Sequence, residues 1–122
     1  MTKVVFDSSF LIAVVERPTN WYDDITDYLG RLEPATLDCV LSELDALSQK
    51  GGKRGKYASL AKSLTQGFEV GKCGKSKVDD EILSYAKANS AVVATVDRAL
   101  IMTLRRLGIG GVTLRRHRVS AV

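Results

Sequence analysis

Short β-branched or apolar runs, each followed by a helical pattern, constrain this chain more than any other feature. Lys3 to Phe6 ends at Asp7-Ser8-Ser9, ahead of the apolar run Phe10-Leu11-Ile12-Ala13. Ala35 to Asp38 gives way to Val40, Leu41, Leu44 and Leu47 at three- and four-residue steps. Phe68-Glu69-Val70 leads through the Gly-, Lys- and Ser-rich stretch Gly71 to Lys77 into a helix from Val78 to Ala88. Ala91 to Thr95 reads as a central strand buried on both faces, followed by a helix from Arg98 to Leu107 stopped by Gly108, and then by a last strand, Gly111 to Leu114. Two more helices are expected. One spans Trp21 to Leu32, carries Trp21, Ile25, Tyr28, Leu29 and Leu32, and is ended by Pro34; the other presents Tyr57, Leu60, Ala61 and Leu64 and ends near Gly67. Strands alternating with helices predict an α/β sandwich on a parallel sheet, because parallel neighbours need crossover helices. In such sheets ligand-binding groups gather beyond the carboxyl ends of the strands, where the strand order reverses.

A length of 122 residues fits one domain, residues 1–122. The longest apolar stretches, Phe10 to Val15 and Ala91 to Ala94, fall far short of the roughly 20 residues that span a bilayer. Asp7 interrupts any apolar core of a signal peptide, so the expected compartment is the cytoplasm. Cys39 and Cys73 sit in unlike contexts without a Cys-x-x-Cys spacing, which argues against a zinc site or a disulfide framework. The net charge of +4 hides an asymmetry: residues 1–49 hold three basic and nine acidic residues, and residues 50–122 hold fifteen basic and five acidic. The second part is suited to a polyanion. The candidates for phosphate contacts are Lys53, Arg54 and Lys56, and Lys72, Lys75 and Lys77 of the basic loop; ordinary solvation of helix faces is the alternative.

Four acids are placed at one edge of the predicted sheet. Asp7 and Asp97 follow the first and fourth strands, and Glu43 and Asp79 lie on the early turns of the helices leaving the second and third. A single acid after a strand is ordinarily a helix cap. Four converging on one edge suit Mg²⁺ or Mn²⁺ instead, hard cations that take oxygen ligands. Such an ion makes a Ser, Cys or His nucleophile unnecessary. The single histidine, His117, sits in the basic tail Arg115-Arg116-His117-Arg118.

The segments VVFDSSFLI, VLSELDAL, VDDEILSYA and VVATVDRAL resemble, in order, the four acidic motifs of PIN-domain nucleases. The resemblance looks closer to archaeal PIN proteins, and to the PIN domain of ribosome-assembly nucleases, than to toxin members. It implies a three-layer α/β/α sandwich with five parallel strands ordered 3-2-1-4-5, an acidic pocket for Mg²⁺ or Mn²⁺, and hydrolysis of RNA phosphodiesters. Asp7, Glu43, Asp79 and Asp97 match the metal-binding acids. Ser9 is the small polar residue expected to position a metal-bound water, and Thr95 of the Thr-x-Asp motif is expected to hydrogen-bond an acid. Asp79 is preferred as the third acid because Ile82 and Ala86 follow at the family's spacing, which leaves Asp80 and Glu81 facing solvent or supporting the site. Val96 departs from a frequent asparagine, and Ala99 stands where many toxin members carry a further acid.

The resemblance leaves three functions in competition: a nuclease toxin partnered by an antitoxin, a nuclease that works with ribosome-assembly proteins on cellular RNA, and a PIN fold kept as an RNA- or protein-binding module. The presence of all four acids argues against the third. A homodimer is the expected assembly. A receiver-type signalling domain shares the sheet logic but needs paired acids after the first strand, where this chain supplies one.

Overall fold

A computed structural model describes all 122 residues. The elements, in chain order, are β1 (Thr2–Phe6), α1 (Ser8–Glu16), α2 (Trp21–Leu29), β2 (Leu32–Leu37), α3 (Asp38–Gln49), α4 (Gly52–Leu64), β3 (Glu69–Gly71), α5 (Val78–Asn89), β4 (Val92–Ala94), α6 (Arg98–Leu107), β5 (Gly111–Arg115) and β6 (Arg118–Ala121). The sheet runs β3-β2-β1-β4-β5-β6, with every pairing parallel except β5 with β6. Helices α1, α3 and α4 pack together, while α5 packs on β1 and β4. Right-handed crossovers put these groups on opposite faces and complete the α/β/α sandwich.

Strand β1 is the axis of the core. Val4, Val5 and Phe6 are all fully buried, as a parallel strand covered on both faces requires. Phe6 meets Phe10 of α1 edge-on at 5.5 Å, Trp21 of α2 at 5.4 Å and Phe68 ahead of β3 at 5.3 Å between ring centroids. One aromatic residue thus gathers three elements immediately before Asp7. Helices α3 and α4 approach closely at Gly55, where a Cβ would come within 3.1 Å of the Ser48 carbonyl oxygen. Gly55, Ala58 and Ala61 form the buried stripe of α4.

Several local expectations are corrected. The basic tail is the turn of a hairpin, and its antiparallel β6 adds a sixth strand. Arg118 grips Asp24 of α2 with both Nε (2.9 Å) and Nη2 (3.1 Å), and the Val119 N–H donates to the same carboxylate, so the hairpin is tied across to α2. Helix α2 stops at Leu29 because Gly30 adopts φ +82°; Tyr28 is exposed and Leu32 belongs to β2. Pro34 lies inside β2 opposite Val4, and β3 joins β2 only from Ala35 onward, so the missing N–H leaves no β3 partner unsatisfied. On α4 the small Ala58 faces inward and Leu60 is exposed, because the close approach to α3 has no room for a larger side chain. Asp38 begins α3 rather than ending β2.

The reading against a disulfide is also overturned. Cys39, in the first turn of α3, bonds Cys73 in the loop after β3, with Cα atoms 5.9 Å apart. Neighbouring strands β2 and β3 bring the two segments together, although 34 residues separate them in sequence. Reducing this bond, or replacing both cysteines by serine, is expected to lower stability by about 3–4 kcal/mol through the restored entropy of the open loop. Urea unfolding with and without dithiothreitol measures this; an unchanged midpoint would show that the bond restrains nothing the fold does not already hold.

Candidate active site

The strand order reverses between β1 and β4, and the crevice beyond their carboxyl ends is where this fold gathers ligand-binding groups. The Asp7 N–H donates to the Ala94 carbonyl at 3.0 Å, so the ladder holds the end of β1 against the end of β4. Asp7 is the N-cap residue of α1, yet its side chain makes no capping bond. Asp97 is the N-cap residue of α6 and accepts from the Leu100 N–H at 3.0 Å through Oδ1. Capping therefore accounts for one oxygen of Asp97 and for none of Asp7, while Glu43 lies in the middle of α3.

Asp7 is 4% exposed and so needs internal partners. Its Oδ2 accepts from Ser9 Oγ at 2.5 Å and from Thr95 Oγ1 at 2.8 Å. Each hydroxyl carries one proton, and with both directed at Asp7, the 3.1 Å contact between Ser9 and Thr95 is a close approach rather than a third bond. Their lone pairs are used as well: the Val96 N–H donates to Ser9 Oγ and the Asp97 N–H to Thr95 Oγ1, both at 3.1 Å. Thr95 thus hydrogen-bonds an acid, as the Thr-x-Asp resemblance implied. Ser9, expected to position a water, has Asp7 and Val96 as its visible partners. Oδ1 of Asp7 has no protein donor.

Glu43 and Asp79 complete the rim. Ser8 Oγ donates to Glu43 at 3.1 Å. Desolvation raises the pKa of Glu43 above the usual range; the Ser8 bond opposes this, and the charges of Asp7 and Asp79 add to it. Asp79 is raised as well, first by desolvation of its inner side and then by Asp7, Asp97 and Asp80. The four acids are therefore close enough to feel one another. None of them takes part in the molecule's three ion pairs, which are Lys3–Glu69, Lys62–Asp45 and Arg118–Asp24. No three of their carboxylates bring oxygens within 4.8 Å of one another. An all-oxygen donor set with open spacing and no neutralising cation fits a hard divalent ion that keeps part of its water shell. The one tight acid and sulfur cluster is Asp38, Cys39 and Cys73, whose sulfurs are bonded to each other and are not free thiolates.

The supporting residues fall in different places. Asp80 acts on Asp79 through its charge alone and makes no hydrogen bond to the other acids. Glu81 has a role the sequence reading did not find: it accepts from the Gly74 N–H at 2.6 Å and the Ser76 N–H at 3.2 Å, pinning the loop that carries Lys72, Lys75 and Lys77. Asp38 adds a bond from the Cys73 N–H at 2.9 Å. The only signal for this was an acid following closely on a glycine-rich loop. Lys53, Arg54 and Lys56 lie on the first turns of α4, beyond the far end of α3. That end stands about 9 Å along the helix from Glu43.

Two outcomes follow from this geometry. Replacing Thr95 by valine keeps the shape but leaves the buried Asp7 oxygen and the Asp97 N–H each short of a partner, and should cost about 1–3 kcal/mol in denaturant unfolding; a cost near zero would mean that Ser9 alone holds Asp7. Glu43→Gln keeps an acceptor for Ser8 but removes a crowded charge. A raised folded pKa makes the wild type lose stability as pH rises through it, since the folded state then binds more protons than the unfolded chain. In EDTA at neutral pH the variant should therefore melt above the wild type, with the advantage fading in acid, where Glu43 is protonated in both states. A variant that melts lower at neutral pH contradicts the crowding.

Comparison with known proteins identifies the family and the fold. The model of the family described as "PIN like domain" matches residues 4–117. Ribonuclease VapC4 of Methanocaldococcus jannaschii is 28% identical over 123 residues, covering 97% of this chain and 94% of that protein. The solved PIN domain endonuclease Utp24 superposes with a TM-score of 0.76 at 24% identity, over 98% of this chain and 90% of that one. VapBC2 from Rickettsia felis, solved bound to a DNA fragment from their promoter, gives a TM-score of 0.64 at 15% identity, over 86% of this chain and 92% of that one. At these identities the solved structures establish the fold. The family's model leaves out only the first three and last five residues, and the chain belongs to the PIN like domain family.

Proposed function

We propose that this protein is a Mg²⁺- or Mn²⁺-dependent ribonuclease that hydrolyses RNA phosphodiester bonds at Asp7, Glu43, Asp79 and Asp97. The observation that carries the reading is the convergence of four acids without a basic partner on the crevice where the strand order reverses. The likeness to a curated ribonuclease along nearly the whole chain supports it. Asp7 Oδ1, Glu43, Asp79 and the Asp97 oxygen not used by Leu100 would hold the ion. When bound, the ion supplies a more acidic water and offsets charge that develops at phosphorus. Ser9 and Thr95 orient Asp7 by occupying its other oxygen, and Ser8 orients Glu43. Asp80 adds negative charge beside Asp79. Lys72, Lys75 and Lys77, on the loop fixed by Glu81 and the disulfide, bind phosphates of the RNA, with Lys53, Arg54 and Lys56 available to a longer strand.

No helix is long and apolar enough to cross a membrane. The working setting we propose is the cytoplasm, with the protein a homodimer whose partner is an antitoxin or a ribosome-assembly complex. The test is cleavage of an end-labelled single-stranded RNA by wild type with Mn²⁺, wild type with EDTA, and Asp7→Asn with Mn²⁺. Turnover is expected in the first only, with the variant folded by circular dichroism. Equal cleavage in EDTA would reject the metal-dependent mechanism. No cleavage under any divalent ion would reject the enzyme.

A further inference from the structure

A basic groove runs from the acidic crevice along α6 and β5, outside the site described above. It has a volume of about 590 Å³ and is lined by Arg98, Arg105 and Arg115 over an apolar floor that includes Ile101, Met102 and Leu114. No acid lines it, and none of the three guanidinium groups is among the molecule's ion pairs. Val96 and Arg98 flank Asp97, so the groove opens beside the acids. Val96 and Leu114 are shared with a smaller depression of about 240 Å³ that adds Arg17, Arg116 and His117. The two form one positive track around the carboxyl end of β5.

Helix electrostatics explains part of this charge, since Arg105 lies in the last turn of α6, where a cation suits the dipole. It does not explain Arg98, the first residue of the same helix, where a cation meets the positive end. The two stand seven residues apart, about 10 Å along one face. A second feature is also set against stability: Arg116 and His117, at the tip of the β5–β6 turn, adopt φ +48° and +65°. Consecutive left-handed residues in a two-residue hairpin favour Asn-Gly, and other side chains there are strained. Arg118, the next residue, is committed to Asp24 and fixes the turn's base. Both departures place positive charge on the track.

We infer that this groove binds single-stranded RNA flanking the phosphate at the acidic site, its arginines contacting backbone phosphates and its apolar floor receiving bases. The inference rests on the ribonuclease reading and deepens it. Charge complementarity selects a polyanion, and the apolar floor selects unpaired bases over a duplex, whose bases are stacked inside. Apart from Thr113, which is 7% exposed, the uncharged lining is apolar and offers few groups to read base edges. The groove therefore supplies affinity and direction, and little sequence preference.

The test uses the full chain and a fluorescent oligouridylate of about 12 nucleotides, within the site sizes of single-strand binders. Anisotropy is recorded in EDTA over a range of salt, and cleavage of the same RNA is followed with Mn²⁺. The variant is Arg98→Gln, Arg105→Gln, Arg115→Gln, with Arg→Lys at the same positions as the charge-preserving control. Loss of three phosphate contacts should flatten the slope of log K against log salt by about 2 and weaken binding about a hundredfold at 0.1 M salt, with the lysine variant staying near wild type. If the glutamine variant, folded by circular dichroism, binds with wild-type affinity and slope while wild type cleaves with Mn²⁺, the groove proposal falls and the ribonuclease reading stands. If the variant loses affinity but wild type never cleaves, the groove stands and the enzyme reading falls. Equal loss of affinity for a duplex of the same length would overturn the preference for a single strand, and a wild type that binds no RNA would overturn the groove outright.

Discussion

The arrangement of the site depends on how one buried carboxylate is satisfied. Asp7 sits at the end of β1, directly after the buried Val4, Val5 and the aromatic hub at Phe6, and is 4% exposed. A polar group there must be hydrogen-bonded or it destabilises the fold. Ser9 and Thr95 meet that need from two different segments, the first turn of α1 and the end of β4, and both bind the same oxygen. The same two hydroxyls accept the Val96 and Asp97 N–H groups, so the bonds that hold Asp7 also hold the backbone that carries Asp97. The two acids at the reversal of strand order are therefore set relative to each other by side chains, in addition to the sheet.

That arrangement is locally unfavourable. Glu43 and Asp79 are held above their usual range by desolvation and by their acidic neighbours, and no lysine or arginine neutralises any of the four. The rest of the molecule places its cations elsewhere, with Lys62 on Asp45 and Arg118 on Asp24. Local conflict of this kind concentrates at functional sites, because elsewhere it is readily removed by substitution. The rigid elements around it offset the cost: the buried Val4, Val5 and Phe6 of β1, the close α3–α4 pair at Gly55, and a loop pinned by Glu81 and the Cys39–Cys73 bond.

What could be read from the sequence divides along the range of the interactions. Strand β4 and helix α6 were legible because a continuous apolar run and a glycine stop are local signals, and Asp97 between them followed directly. The alternative that Asp97 is a cap was also legible, and it accounts for one of its two oxygens. Leu60 was misread because periodicity cannot tell which of two adjacent stripes faces a neighbour, and the close approach at Gly55 selected the smaller one. Pro34 was misread as a stop because its place in the strand depends on how far β3 extends along β2, which is a tertiary fact. The disulfide and the sixth strand share this origin, the first depending on a partner 34 residues away and the second on a turn without glycine, whereas Glu81 pins a loop only five to seven residues before it. Arg116 and His117 carry no hairpin signal, yet their backbone forms one.

The charge asymmetry of the sequence acquires a spatial meaning once the strand order is known. The basic loop Lys72 to Lys77 follows β3 and ends against Asp79, while the arginine groove lies along α6 and β5. Strands β3 and β5 lie on opposite sides of the β1–β4 seam, so positive surface flanks the acidic crevice from both directions. A polyanion approaching the acids alone would be repelled; flanking cations reverse the sign of the field it meets and raise its local concentration. The two flanks differ in kind. The loop's charge is carried by lysines on a short segment tied by a disulfide and by the Glu81 and Asp38 carboxylates, and the groove's by guanidinium groups on regular elements over an apolar floor. Lysines act on phosphate as point charges, whereas arginines add planar contact with bases. A strand crossing the seam would therefore meet one flank that senses charge and one that also senses unpaired bases, which gives the crossing a direction the symmetric pairing of β1 with β4 cannot supply.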